Sequence, residues 1–142
     1  MSLRLHRIRA NDSGASAVEF ALVLPVFLLI AMGTVVYGIY FGAANSAAQL
    51  AADAARASVA GLNDAERASI ARQHVAASAG AYMLIDATKV SVEAAPLASD
   101  TTQFRVAIRY DSAELPIWGL AGIVPLPAKI IERTATIKRG GF

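Results

Sequence analysis

The sequence predicts an α+β fold, in which a long N-terminal transmembrane helix extends into a periplasmic stalk and is followed by a second helix and a small three-stranded antiparallel sheet. Three observations carry this. Residues 20–49 contain no charged side chain. Because 56% of the chain is hydrophobic and only 17% is charged, that one segment must hold the apolar excess. The run that follows is rich in alanine, the best helix former. Beyond Gly80 the apolar spacing switches to strict alternation, the mark of half-buried strands.

Residues 1–14 read as a basic leader. Arg4, Arg7 and Arg9 against Asp12 give it a net charge of +2, and the rest of the chain holds ten charges of each sign. No basic surface is left over for nucleic acid. Residues 15–44 read as the transmembrane helix. Phe20 to Ala44 is 25 residues of nearly unbroken apolar character, and a bilayer core of about 30 Å needs about 20 residues of helix. Three arginines precede the span, and Asp53 and Arg56 follow it. The positive-inside rule therefore puts the N-terminus in the cytoplasm and exports the remainder. An ordinary cleaved signal peptide has an apolar region of only about 7 to 15 residues, so this run is too long for one, although Ala44-Asn45-Ser46 has the small residues of a cleavage site.

Inside the span, Pro25 lacks an N–H and is expected to kink or loosen the helix. Gly38 and Gly42 form a G-x-x-x-G step that Ser46 continues at the same spacing, a face suited to close helix packing. Tyr37, Tyr40 and Phe41 near the exported end suit an aromatic interface belt. Residues 45–60 then extend the helix as a stalk, so that 15–60 would measure about 69 Å. Gly61 is the expected stop.

Residues 61–142 read as a small exported α+β domain. Asn63 and Glu66 have capping-box spacing for a second helix. Its apolar face is Ala68, Ala71, Val75 and Ala79, blurred by Ile70 and Arg72. His74 falls on the exposed side, and with no second ligand at the right spacing it reads as a surface residue rather than a metal ligand. Val90 and Val92 mark a first strand, and Phe104, Val106, Ile108 and Tyr110 mark a second. Ile131, Ala135 and Ile137 mark a third, interrupted by Arg133 on the same face. Packing the three strands on the stalk is the economical arrangement. The apolar connection from Leu115 to Pro125 is too short and too broken by Gly and Pro to be a second span. It reads as a flap over a thin core, or else as a docking patch of Ile117, Trp118 and Leu120 for another subunit or the membrane surface, with Trp118 as anchor.

There is no cysteine, so disulfides, thiol nucleophiles and thiolate metal sites are excluded. A small domain without such staples is marginal alone, which points to partners. No phosphate loop, catalytic triad or ligand cluster is present, so the chain reads as a non-enzyme with no catalytic residue, cofactor, metal or small-molecule substrate.

Glu19 stands apart from this pattern. A carboxylate costs about 2.5–3.5 kcal/mol at the bilayer centre and less near an end, so it marks either a headgroup-level position or a partner. The neighbouring order is Gly14, then Ala15-Ser16-Ala17-Val18, then Glu19-Phe20. Asp12-Ser13-Gly14 are also residues that could simply start the helix. The order nevertheless resembles that of type IV prepilins. The aromatic after the glutamate resembles the Flp and Tad branch, and Phe20-Ala21-Leu22-Val23-Leu24-Pro25 is similar to the TadE-like pseudopilins, with the likeness running from 14 to about 45.

The resemblance implies that a prepilin peptidase cuts after Gly14 and leaves Ala15 as the new N-terminus. Glu19, with Phe20, would then serve subunit recognition, pairing with the free amine of a neighbouring subunit. It implies a pilin-like minor subunit or pseudopilin in the bacterial cytoplasmic membrane, single-pass until processed, which acts in pilus initiation, assembly or anchoring with other Tad pilins and the pilus assembly platform, with incorporation into the pilus left open. The long exported part argues against the bulk filament subunit, a TadF-like sister shares the motif, and TadG-like proteins are longer. The alternative is an uncleaved signal-anchored envelope protein whose exported domain binds a surface or secretion partner. A secreted enzyme would need a site that the sequence does not show.

Overall fold

The computed structural model describes residues 12–138. Most of the basic leader, including Arg4, Arg7 and Arg9, lies outside the described residues. The first element, α1, runs unbroken from Asp12 to Ser58, 47 residues or about 70 Å at 1.5 Å per residue. It is already helical at Asp12, three residues before the expected Ala15.

The helix ends two residues before the expected Ala60. The N–H groups of Val59, Ala60 and Gly61 bond to the carbonyls of Arg56, Ala57 and Ser58 at 3.2, 3.3 and 3.1 Å, a tightened last turn of i→i+3 type. Gly61 stops the helix for a different reason from the expected one. A Cβ there would lie 2.6 Å from the Arg67 nitrogen and 2.9 Å from its Cα, so close approach of the next helix, rather than a left-handed cap, requires glycine.

Two halves of α1 have different surroundings. From Gly14 to Ile30 its side chains are exposed apart from a half-buried Leu24. From Val36 onward Ala43, Ala47, Leu50, Ala54 and Ser58 form a fully buried stripe at spacings of three, four and seven residues, one face of a helix. Alanines dominate the stripe and let the rest of the fold approach the helix backbone closely.

The second helix, α2, spans Asp64–Ser78. The Asn63 side chain accepts from the Glu66 N–H at 2.9 Å, and the Glu66 carboxylate accepts from the Leu62 N–H at 2.8 Å. The cap is thus reciprocal, with the return bond one residue earlier than in a capping box. Ala68, Ala71 and Val75 are buried as their spacing requires, and Ala79 continues the face in the 3-10 turn Ala79–Ala81. His74 corrects the reading as an exposed residue: it is half-buried, and its Nε2 is buried without a hydrogen-bond partner.

Strands β1 (Val90–Leu97), β2 (Asp100–Asp111) and β3 (Ile130–Lys138) form an antiparallel meander in the order β1-β2-β3. Val92 faces Ile108, and Tyr110 faces Ile131. Phe104, Val106, Ile108, Tyr110 and Ile131 are all at most 3% exposed and form one core with the α1 stripe and α2. Arg133 does not interrupt β3. It pairs across from Ile108 and is half-buried, and its guanidinium donates to the Glu132 carbonyl at 2.8 Å. Continuous pairing with β2 outweighs the single unfavourable side chain. The outer face carries Arg105–Glu93 at 3.4 Å and Arg109–Glu132 at 3.5 Å; pairs this exposed stabilise by about 0–1 kcal/mol.

Candidate functional site

The functional features fall along α1. At its start, Gly14, Ala15, Glu19 and Phe20 are all exposed on the bare half of the helix. Ala15 and Glu19 are four apart and share a face. Glu19 makes no hydrogen bond or ion pair with any described residue, so its carboxylate is open to a group from outside the chain. The Gly14–Ala15 bond sits in the first turn, where helices fray. Glycine weakens that turn by up to about 1 kcal/mol relative to alanine. Beside Glu19, Phe20, Val23, Leu24 and Phe27 shape a shallow apolar recess. The helix continues through Pro25, so the carbonyl of Ala21 receives no bond from that position.

Further along, the three small residues part company. Gly42 meets the chain's own Leu84, whose Cδ1 lies 2.9 Å from where a Cβ would stand, while nothing lies within 4 Å of Gly38. Ser46 is buried in the core. The expected helix-packing face is therefore half used within the subunit, and only Gly38 remains open to another helix.

The apolar connection between β2 and β3 is both flap and contact. Ile117 is 2% exposed and belongs to the core, which corrects its placement on an exposed docking patch. Trp118 and Leu120 are half-buried against the same core. The indole N–H of Trp118 donates to the Ser112 carbonyl, and the Lys129 ammonium lies 5.5 Å from the ring centroid, a cation–π arrangement. The apolar residue that points outward is Ile123, 56% exposed. Its neighbours return to α1. The Tyr37 hydroxyl donates to the Pro125 carbonyl at 3.0 Å, and a Val124 methyl lies 3.9 Å from the position of a Gly33 Cβ. The expected patch of Ile117, Trp118 and Leu120 leaves out this outward turn. The signal for the remainder was present in Leu115 to Ala128, fourteen residues in which the Trp118 indole is the sole polar side-chain group.

Near the far end of α1, the Asp53 carboxylate holds two groups: the Arg56 guanidinium at 2.6 Å and the Tyr82 hydroxyl at 2.5 Å. The hydrogen bond to Asp53 pushes the Tyr82 pKa up to about 12, with burial adding to it, since ionised tyrosine could not donate. This tie fastens the turn after α2 to the stalk. No group of three or more His, Cys, Asp or Glu suited to a metal occurs among the described residues.

Among the described residues, one helix is long and apolar enough to cross a membrane, within Gly14–Ser58. Residues 14–56 match the family model described as TadE-like protein. That match covers nearly all of α1 and stops before α2 and the sheet. No curated protein and no solved structure matches the chain.

Proposed function

Starting from a chain that is TadE-like over residues 14–56, we propose that it is a minor pilin or pseudopilin of a Tad-type pilus, processed by a prepilin peptidase between Gly14 and Ala15. The observation that carries this reading is the glycine, four residues, then glutamate at the head of a helix whose first half has almost no contact with its own subunit. Cutting there removes the basic leader and keeps the span. It also frees an α-amine one helical turn from Glu19, and the carboxylate of one subunit then pairs with the amine of the next as they pack side by side in the membrane. The Phe20–Phe27 recess gives that contact its apolar part. The N-terminus faces the cytoplasm, the α2–sheet domain is exported, and the partners are other Tad pilins and the assembly platform. The chain acts in assembly or initiation and performs no chemistry of its own.

The second reading is the uncleaved signal-anchored envelope protein, supported by α1 already being helical from Asp12, across the proposed cut. Intact mass and N-terminal sequencing of the membrane-extracted chain, with and without a co-expressed prepilin peptidase, separate the two. A new N-terminus at Ala15 only with the peptidase is expected; a full-length chain in both conditions rejects processing. Processed Glu19→Gln, retaining the span but losing cross-links to co-expressed Tad pilins, would assign the carboxylate to subunit selection.

A further inference from the structure

We propose that the connection from Leu115 to Ala128 is a membrane foot, seated in the acyl-chain edge of the leaflet on the domain side. This rests on α1 spanning the bilayer. Two independent marks place that edge on the helix. Counting about 30 Å from Glu19 at 1.5 Å per residue reaches residue 39. Tyr37, Tyr40 and Phe41, whose rings lie against one another at centroid distances of 5.9–6.0 Å, form an aromatic belt at the same height. The connection is fastened below that level, with Val124 beside Gly33 and the Pro125 carbonyl on Tyr37. Gly33 lies about 9 Å inside the edge at the helical rise. Any bilayer that covers α1 to Tyr37 therefore reaches the turn at Ile123 as well.

The chemistry of the segment agrees. Lipid tolerates irregular backbone only where its polar groups are satisfied internally. The N–H groups of Trp118, Ala121, Ile123 and Val124 bond within the connection at 3.1–3.3 Å, while those of Gly122, Leu126 and Ala128 have no backbone partner, which holds the segment at the edge within reach of headgroups and water rather than deeper. Pro116, Pro125 and Pro127 have no N–H to satisfy. Charge returns only at the two ends. Glu114 pairs with Lys89 at 3.0 Å, and Lys129 stands over Trp118, both placed for headgroup level. The foot gives the sheet a second attachment to the membrane and sets the rotation of the domain about the span.

The absence of cysteine makes a direct test available. A nitroxide on Ile123→Cys, in the full chain reconstituted into phosphatidylcholine–phosphatidylglycerol vesicles, is compared with one on Leu29→Cys in the span and one on Leu62→Cys, the latter position 88% exposed. The measurement is collision with oxygen, which concentrates in lipid, against collision with a water-soluble nickel chelate. At position 123 an oxygen-to-nickel ratio on the Leu29 side of the midpoint is expected. If the label at 29 is in lipid while 123 is as open to nickel as 62, the foot is overturned and the span stands. If 123 is shielded from both reagents, a neighbouring protein covers it, and the lipid assignment also falls. If 29 itself is in water, both ideas fall together. The chain without substitutions provides a second readout through its single tryptophan. Brominated acyl chains should quench Trp118 at least twofold more than aqueous iodide does, and the reverse order would reject the proposal.

Discussion

Leu50→Ala tests how α1 is divided. Leu50 is fully buried, and the buried members of α1 around it are Ser46 and the alanines at 43, 44, 47, 51, 54 and 55. Truncation removes three carbons, worth about 2.4 kcal/mol at about 0.8 kcal/mol per buried methylene. The alanines of α1 cannot refill the space and the large side chains of the shared core relax only partially, so a cavity term adds to this, and a total loss of about 3–4 kcal/mol is expected, within the usual range for such sites. With an urea slope of about 1–1.5 kcal/mol per molar for a domain this small, the midpoint should fall by about 2–4 M. Urea unfolding of the full chain in detergent micelles, followed by Trp118 emission, measures this. Leu29→Ala is the control, since Leu29 is 46% exposed on the bare half and should shift the midpoint by less than about 0.3 M, the size of a surface change. A Leu50→Ala shift below about 0.5 M, or an equal shift for Leu29→Ala, would refute the view that α1 is domain core from Val36 and lipid-facing before it.

Three further outcomes follow from local geometry. Gly61→Ala should destabilise by about 1–3 kcal/mol, because its Cβ meets the Arg67 backbone, which cannot swing aside, as well as the Arg67 Cγ, an overpacking cost read from the same urea curves. Asn63→Ala should cost about 1 kcal/mol through loss of the α2 cap, with Asn63→Ser recovering most of it. Tyr82 titrates near 12 in the fold against 10.0 unfolded, so its tie to Asp53 stabilises fully below pH 10 and is lost as pH rises from 10 toward 12. Tyr82→Phe should remove that alkaline sensitivity, and an unchanged stability–pH profile between pH 9 and 12 would show that the hydrogen bond to Asp53 contributes nothing.

Local rules accounted for much of this chain. The charge-free run, the Asn63–Glu66 cap and the alternation at Phe104–Tyr110 depend on residues within a few positions of one another, where helix and strand periods act directly. For that reason the elements, their order and the TadE-like segment around Glu19 were legible before any coordinates. Arg133 shows the limit of a local rule: its charge suggested a broken strand, and pairing with β2 kept the strand intact.

The features that required the folded chain all depend on distant contacts. Gly42 and Ser46 face the chain's own core rather than a partner helix. Ile117 is core while Ile123 is not. His74 is half-buried, with its Nε2 shut off from solvent, where helix spacing alone left it exposed. Pro125 meets Tyr37 across 88 positions of sequence, and nothing in either neighbourhood signals the meeting. Side-chain periodicity says which face of an element is apolar. Which other apolar surface, lipid or protein, comes to cover that face is set by topology and by the closing of long loops.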